Sequence, residues 1–302
     1  MKSVLRQTEI IERQSAGLDV RPDAEILKAL LEGQERAIAS VHAVFPAIAE
    51  AAEEIAKRLK KGGKLLYAGA GSSIRIGVQD GTELPATYGI DESQLDYLIA
   101  GGRPAMFDTL AEKEDSVEDG RLAAAICTKN DALVAIAASG RTPYTVAALA
   151  EAKARGAFTI AVINAQDSAL GKMADVEIAL QSGAEIIAGS TRMGAGTAQK
   201  AALNLMSTLV GIKLGQVYDG MMVGMRPENE KLKERAARIV SEITGAAPQV
   251  AREALNKMGA IKPAVLLCAG AAPDEATRLL ADAEGNLRDA LTQISSKPKL
   301  QH

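Results

Sequence analysis

Two short runs of small and hydroxyl-bearing residues could bind a phosphate group. Each run follows an apolar stretch typical of a β-strand and precedes a helical pattern. In such a turn glycine lets the backbone approach a ligand, while the start of the helix supplies unpaired N–H groups and the positive end of its dipole. The pair of turns therefore predicts a site for a phosphorylated small molecule. The residues that could contact the phosphate are Gly71, Ser72 and Ser73 in the first run, and Ser139, Gly140 and Thr142 in the second.

The two turns differ from the common nucleotide-binding loops. Neither is followed by the Lys-Ser or Lys-Thr pair of a Walker loop, and the first lacks the third small residue of a dinucleotide fingerprint. A third group, Ser190, Thr191 and Arg192, opens a predicted helix over 191–214 and could form another anion clamp. Hydroxyl residues at such positions also serve as ordinary helix caps, and an arginine there could form a surface ion pair.

Two carboxylates could supply acid and base chemistry beside a phosphorylated ligand. Glu83 lies in a turn-rich segment after the first Gly/Ser run, and Glu114 lies within a predicted helix over 104–126. Either glutamate alone is typical of a solvated or capping residue. The chain has only 2 histidines, His42 and His302, which strengthens the case for a carboxylate as the general base near the ligand. A dehydrated cleft can raise the pKa of a carboxylate towards neutrality.

The composition is ordinary for a globular protein with a substantial core. Of the 302 residues, 47% are hydrophobic and 24% are charged, and the formal net charge is −3. This balance gives no general attraction to nucleic acid or to an anionic membrane. The N-terminus lacks an apolar signal core, which predicts a cytoplasmic location. Cys127 and Cys268 are expected to be free thiols, and the scarcity of histidine argues against a metal centre.

Apolar periodicity predicts the elements that position these residues. Strands alternating with helices are typical of a parallel sheet covered on both faces, in which ligands bind beyond the carboxyl ends of the strands where the strand order reverses. Both Gly/Ser runs fall at such strand ends. Strands are expected at 64–69, 97–100, 132–138, 158–163 and 176–180, and helices at 24–61 (broken by Pro46), 72–80, 104–126 and 143–156.

The character of the sequence changes after residue 227. Charged helical patterns alternate there with glycine or proline, which predicts a separate small helical bundle. The expected helices are 228–244, 248–257, 262–269 and 273–281.

Over most of its length the chain resembles the N-acetylmuramic acid 6-phosphate etherase family of the sugar isomerase (SIS) domain superfamily. The most specific likeness is the run Gly-Ser-Thr-Arg-Met at 189–193 with Ala-Gly-Thr-Ala-Gln-Lys at 195–200, supported by Asn-Glu-Lys-Leu at 229–232. The other similar stretches are 67–89, 98–102, 136–144, 183–188, 204–228 and, more weakly, 285–288.

The resemblance implies an α/β fold with a doubly wound, five-stranded parallel sheet, flanking helices and a small C-terminal helical domain. We accordingly expect a helical segment over 1–50, a phosphosugar-binding SIS domain over 51–226 and the helical domain over 227–302. The family implies a homodimer with sites at the subunit interface, a phosphorylated amino sugar as the substrate, and no metal or organic cofactor. The implied reaction cleaves the D-lactyl ether of the substrate, giving N-acetylglucosamine 6-phosphate and D-lactate.

The resemblance also implies roles for the candidate residues. Glu114 would remove the proton next to the aldehyde of the ring-opened sugar. Glu83 would protonate the departing ether oxygen and then deprotonate the water that adds. Phosphate contacts would come from the hydroxyls of Ser72, Ser73, Ser139 and Thr142 and from the amides around them, including Gly71 and Gly140, while Ser190, Thr191 and Arg192 would contact the sugar or the lactyl carboxylate.

Two other functions on the same fold remain open at this point. One is the isomerisation of a phosphorylated aldose and ketose, which also uses a carboxylate base. The other is a non-catalytic regulator that senses a phosphosugar.

Two departures from the family pattern lie close to the predicted ligand. Ile74 stands where glycine is usual, so we expect a branched side chain near the sugar phosphate. Gly194 stands where lysine is usual, so we expect one positive charge fewer near the substrate.

Overall fold

The computed structural model describes residues 10–11, 15–108 and 110–295. The chain forms two compact units. Of the described residues, the first unit contains those up to Thr82 and those within Ser93–Leu209, and the second contains Glu83–Glu92 and those from Val210 onward. The predicted division at residues 50 and 226 stays a proposal.

The first unit is built on a five-stranded parallel sheet with the order β2-β1-β3-β4-β5. The observed sheet confirms the predicted fold class. Its centre is fully buried, and the residues of β1 and β3 are aliphatic or glycine except for Tyr67, as expected of a sheet covered on both faces. The strands are β1 Leu65–Gly69, β2 Leu95–Ile99, β3 Ala132–Ala137, β4 Phe158–Ile163 and β5 Val176–Ala179.

The strand order reverses at β1, which pairs with β2 on one side and β3 on the other. Gly69, the last residue of β1, lies opposite Ile99 in β2 and Ile136 in β3. A crevice opens at such a point, beyond the carboxyl ends of the strands. The two Gly/Ser turns follow β1 and β3 directly, so the topology brings them to neighbouring positions at one edge of the sheet.

The helices cover the sheet and connect its strands. As predicted, the first helical region is divided near Pro46, by a short 3₁₀ turn at Ser40–Val44, and it ends before Gly62, whose φ of +79° is a conformation that glycine favours. The helices are α1 Asp23–Ala39, α2 Phe45–Lys60, α3 Gly71–Tyr88, α4 Val117–Ala124, α5 Pro143–Ala154, α6 Ala169–Met173 and α7 Gly194–Lys213.

Three sequence-based boundaries were wrong. Helix α3 does not end near residue 80 but continues to Tyr88, with Pro85 inside it. The helix expected over 104–126 is instead a 3₁₀ turn at Arg103–Met106, a second at Ala111–Asp115, and α4. The break before α4 has a local cause, because Ser116 is extended and its side chain accepts the N–H of Asp119 at 3.2 Å. Helix α7 begins at Gly194 rather than at 191.

A buried carboxylate ties α3 to α7 and to β1. Asp80 is 4% exposed, and it accepts hydrogen bonds from the Tyr67 hydroxyl at 2.8 Å, from the Asn204 amide at 2.6 Å and from the Ser207 hydroxyl at 2.8 Å. A charged group buried in this way is tolerated only when hydrogen bonds replace its hydration. This network fixes the helix that begins at the first Gly/Ser turn.

The second unit is a helical bundle, as predicted, with one more helix and a short hairpin. Its core comprises apolar side chains from all five helices, among them Val240, Leu255, Val265 and Leu279. The hairpin consists of β6 Val217–Tyr218 and β7 Met221–Met222, and the helices are α8 Glu230–Thr244, α9 Pro248–Met258, α10 Ile261–Cys268, α11 Pro273–Asp282 and α12 Leu287–Ser295.

Candidate functional site

A cavity of about 450 Å³ lies in the first unit, beyond the carboxyl ends of β1 and β3. Its size is within the usual range for small-molecule sites. Both Gly/Ser turns and Glu114 contribute to its wall. The sequence-predicted residues that line it are Gly71, Ser72, Ser73, Ser139, Thr142, Thr191 and Glu114.

The first turn brings the start of α3 to the cavity. Gly71 has a φ of +54°, a left-handed conformation that favours glycine. A Cβ at this position would lie 3.0 Å from Oε1 of Glu114, so the absence of a side chain leaves room for that carboxylate. The first N–H groups of a helix have no partner within it. The hydroxyls of Ser72 and Ser73 thus lie beside free backbone donors at the cavity wall.

The second turn is built around Gly140. Its φ is +60°, and a Cβ there would come within 2.4 Å of the Ser168 side chain, so this glycine is required for packing and does not line the cavity. The Ser139 hydroxyl accepts the N–H of Arg141 at 3.2 Å. Thr142 precedes α5 as its N-cap, yet its side chain makes no capping hydrogen bond. The Thr142 hydroxyl therefore remains available to a ligand.

The third predicted clamp reaches the cavity only in part. Thr191 and Gly189 line the cavity, whereas Ser190 and Arg192 do not, and Arg192 is exposed. The start of α7 already holds an anion from the protein itself. Glu185 is 4% exposed and accepts the N–H groups of Gly194 and Ala195, each at 2.9 Å.

Glu114 is the predicted base that the structure brings into the cavity. It is half-buried on the 3₁₀ turn Ala111–Asp115. Burial raises its pKa above the usual value, the negative charge of Asp115 raises it further, and the positive charge of Arg75 acts in the opposite direction. A carboxylate with a raised pKa is a stronger base once it is ionised.

Glu83 has different surroundings. It lies on α3, in the part of that helix that belongs to the second unit, and it is exposed. It does not contribute to the wall of the cavity in the first unit. The expected turn at this position is thus a helix, which continues through Pro85.

Sequence reasoning missed two charged residues in the cavity wall, Arg75 and Asp108. Nη2 of Arg75 donates to the carbonyl oxygens of Ala105 at 2.9 Å and of Asp108 at 3.2 Å. The signal in the sequence was its spacing, because Arg75 follows Gly71 by four residues and therefore shares its helix face.

The two departures from the family pattern, Ile74 and Gly194, do not line the cavity. Ile74 is 1% exposed and packs against Gly69, so its side chain belongs to the core and not to the ligand. A Cβ on Gly194 would lie 3.1 Å from the Glu185 carboxylate and 3.3 Å from Cβ of Ala37. The expected branched side chain beside the phosphate was wrong, and position 194 faces the Glu185 carboxylate.

The described segments offer neither a cluster of metal ligands nor a membrane-spanning helix. Within them no group of three or more His, Cys, Asp or Glu residues is placed to hold a metal ion. None of the helices in the described part of the chain is long and apolar enough to cross a bilayer. Cys127 and Cys268 are free, as predicted, and burial raises the pKa of Cys127 to about 12, so its thiol is unreactive.

Comparisons with known proteins agree with this architecture. Residues 109–209 match the SIS domain family, and residues 47–153 match the N-terminal SIS domain of glucokinase regulatory protein. The chain is 43% identical over 289 residues to the N-acetylmuramic acid 6-phosphate etherase of Streptomyces avermitilis, covering 94% of this chain and 93% of the relative. It is 46% identical over 256 residues to the etherase of the same name from Symbiobacterium thermophilum, covering 84% and 85%.

Among solved structures, a phosphoheptose isomerase from Francisella tularensis superposes with a TM-score of 0.49 at 20% identity. The superposition covers 64% of this chain and 100% of that one.

Proposed function

The chain is an enzyme of the N-acetylmuramic acid 6-phosphate etherase family, and we propose that it cleaves the D-lactyl ether of that sugar phosphate. The products are N-acetylglucosamine 6-phosphate and D-lactate. The observation that carries the proposal is one cavity that is lined by two hydroxyl-bearing turns and by Glu114.

The phosphate of the substrate binds at the two Gly/Ser turns. The side chains of Ser72, Ser73, Ser139 and Thr142 line the cavity and supply hydroxyl donors. The free N–H groups at the start of α3 and the positive end of its dipole add to the attraction for a phosphate. This arrangement supports a phosphorylated ligand without a metal ion to neutralise it.

The reaction begins with proton removal by Glu114. In the ring-opened sugar, the aldehyde at carbon 1 makes the hydrogen on carbon 2 acidic. Glu114 takes that proton, the bond between carbon 3 and the ether oxygen breaks, and lactate leaves with the ether oxygen. The unsaturated aldehyde that results then adds water, with hydroxide to carbon 3 and a proton to carbon 2. The raised pKa of Glu114 supports this assignment.

Glu83 is the proposed acid of the same cycle. It donates a proton to the departing ether oxygen and afterwards removes a proton from the incoming water, so it changes protonation state twice. Its support is the position it shares with the family pattern and its exposed carboxylate. Thr191, which lines the cavity, is proposed to contact the sugar or its lactyl group together with Ser190 and Arg192.

The proposal includes the partners and the location of the enzyme. We expect a homodimer with sites at the subunit interface, no nucleic-acid partner, no metal or organic cofactor, and a cytoplasmic reaction. The net charge of −3 agrees with the absence of a nucleic-acid partner. Sedimentation at micromolar concentration tests the dimer, and a single species with the mass of one chain would contradict it.

Release of D-lactate from N-acetylmuramic acid 6-phosphate tests the proposed activity. We expect release by the purified protein and a loss of about 10²–10⁴-fold in Glu114→Gln and in Glu83→Gln, because each variant lacks a proton-transfer group. Glu112→Gln is the matched control, because Glu112 is exposed on the same 3₁₀ turn as Glu114. Interconversion of an aldose and a ketose phosphate without lactate would identify an isomerase instead, and binding without turnover would identify a sensor.

A further inference from the structure

Arg75 and the Glu114 carboxylate approach the same face of α3. Gly71 and Arg75 are four residues apart at the start of this helix, and both line the cavity. The Glu114 carboxylate occupies the space beside Gly71, where a Cβ would be 3.0 Å from Oε1. Arg75 therefore lies one helical turn beyond the position where the proposed base contacts α3.

Arg75 also anchors the backbone that leads to Glu114. Its Nη2 donates to two carbonyl oxygens, those of Ala105 and Asp108, in the segment between β2 and the Ala111–Asp115 turn. Ala105, Asp108 and Leu110 all line the cavity. One side chain thus connects α3 to the wall segment that precedes the base.

The charge of Arg75 has no equivalent in the cavity. Of the described residues that line it, Arg75 alone carries a positive charge, while Asp108 and Glu114 are acidic. Its charge opposes the effects of burial and of Asp115 on the pKa of Glu114. Some other charges around this turn form ion pairs: Lys113 lies 3.8 Å from Asp119, and on α5, which packs against this turn, Glu151 pairs with Arg155 and Lys153 with Asp175. Glu112, on the same turn as Glu114, is exposed.

Stability alone does not explain this placement. Nε of Arg75 is buried and has no hydrogen-bond partner among the described residues. A buried donor without a partner destabilises the folded state. A side chain selected only to brace the wall segment would be expected to satisfy this donor.

We propose that Arg75 is a positioning residue for Glu114. It connects the 103–108 segment to α3 through hydrogen bonds, and it places a positive charge near the carboxylate. This inference rests on the proposed function, in which Glu114 is the base. The positive charge of Arg75 favours the ionised form of Glu114 although the carboxylate is partly buried.

The pH dependence of kcat for lactate release tests the inference. Removal of the positive charge in Arg75→Gln should move the acidic limb of the profile to higher pH by about one unit, because a nearby opposite charge favours the ionised carboxylate. We also expect kcat at neutral pH to fall about tenfold. Arg75→Lys keeps the charge, so its acidic limb should match the wild type while kcat falls through altered hydrogen bonding to the two carbonyl groups.

Asp115→Asn provides a control of opposite sign. Loss of the neighbouring negative charge should move the limb to lower pH, which assigns the limb to Glu114. The phosphate of the substrate titrates in this region in every variant, so only differences between the profiles count.

The outcomes distinguish the inference about Arg75 from the proposed etherase function. The inference about Arg75 would be overturned if the acidic limb stayed in place in Arg75→Gln. It would also be overturned if the limb moved as far in Arg75→Lys as in Arg75→Gln. In either case lactate release by the wild type would still support the proposed etherase function. No lactate release by the wild type would overturn the function itself. If Arg75→Gln does not fold, the pH profile of Arg75→Lys tests the inference alone. An acidic limb at the wild-type pH with a lower kcat would support the inference, and a limb moved by about one pH unit would contradict it.

Discussion

At the scale of single residues, the site depends on how closely one carboxylate approaches one helix. Glu114 is half-buried, and burial raises its pKa. Since only the ionised form can accept the proton from carbon 2, activity should be lost as the pH falls through this raised value. The approach is possible because Gly71 has no side chain.

Gly71→Ala tests this close approach. The new Cβ would be 3.0 Å from Oε1 of Glu114, tighter than an ordinary contact, so the carboxylate would have to shift by a few tenths of an ångström. We expect kcat to fall by about threefold to tenfold, less than the loss of about 10²-fold that a misplacement of about 1 Å causes, and the left-handed backbone to cost about 1–2 kcal/mol.

Gly62→Ala is the matched control. Gly62 also has a left-handed φ, +79°, but nothing lies within 4 Å of the Cβ it would gain. The Gly62→Ala variant should lose about as much free energy of unfolding as Gly71→Ala, and its kcat should equal that of the wild type. Equal kcat values for Gly71→Ala and the wild type would show that the approach of Glu114 to α3 does not matter for catalysis.

The sequence predicted part of this residue-scale picture. The Gly/Ser runs were visible because the special conformation and the hydroxyl groups are local properties of the chain. Arg75 was missed because its role arises from contacts with Ala105 and Asp108, some thirty residues away. Ile74 was interpreted wrongly for the same reason, since its direction into the core depends on packing against Gly69.

At the scale of elements, the start of α7 shows how a protein can occupy its own anion site. The buried Glu185 carboxylate accepts two N–H groups of that helix. A helix start favours an anion, and here the anion is a side chain. Gly194 fits beside it where a larger residue would have to displace Glu185 or Ala37.

Replacement of Glu185 should therefore destabilise the first unit. In Glu185→Ala two buried N–H groups lose their acceptor. We expect the free energy of unfolding, measured by urea denaturation, to fall by about 2–4 kcal/mol. Ser116→Ala removes an ordinary, half-buried cap of α4 and should cost about 1 kcal/mol. A smaller loss for Glu185→Ala than for Ser116→Ala would contradict this account.

Element boundaries were the weakest sequence-based predictions. The segment around Glu83 was expected to be rich in turns, yet α3 continues through it with Pro85 inside, because tertiary contacts can outweigh the cost of one missing hydrogen bond. The apolar pattern over 104–126 indicated one helix, whereas the extended backbone at Ser116 ends the preceding 3₁₀ turn and begins α4.

At the scale of the whole molecule, the architecture was the most predictable feature. Alternating strand and helix patterns fix a parallel sheet, and the order of the strands brings the turns after β1 and β3 together. Helix α12 and the β6–β7 hairpin were not predicted. A hairpin with strands of two residues each gives little periodic signal.

A buried lysine in the second unit predicts a pH-dependent stability. Burial lowers the pKa of Lys262 to about 8 from its ordinary 10.5, and its amine donates to the Gly285 carbonyl. Between these two pH values the unfolded chain binds a proton that the folded chain does not, so the free energy of unfolding should rise with pH. The rise should be about 2 kcal/mol after allowance for the partial exposure of the amine.

Urea unfolding of the wild type and Lys262→Met at pH 7.5, 9 and 10.5 measures this effect. The difference between the two proteins isolates Lys262 from the tyrosines that also titrate at high pH. A constant difference across this range would contradict the lowered pKa.

The central claim is that Glu114 removes the proton from carbon 2 before lactate leaves. The most direct measurement is deuterium incorporation at carbon 2 when the enzyme acts on N-acetylmuramic acid 6-phosphate in D₂O. We expect deuterated N-acetylglucosamine 6-phosphate from the wild type, exchange into unconverted substrate that is faster than lactate release in Glu83→Gln, and a strong loss of both exchange and release in Glu114→Gln. Exchange at the wild-type rate in Glu114→Gln would contradict the account.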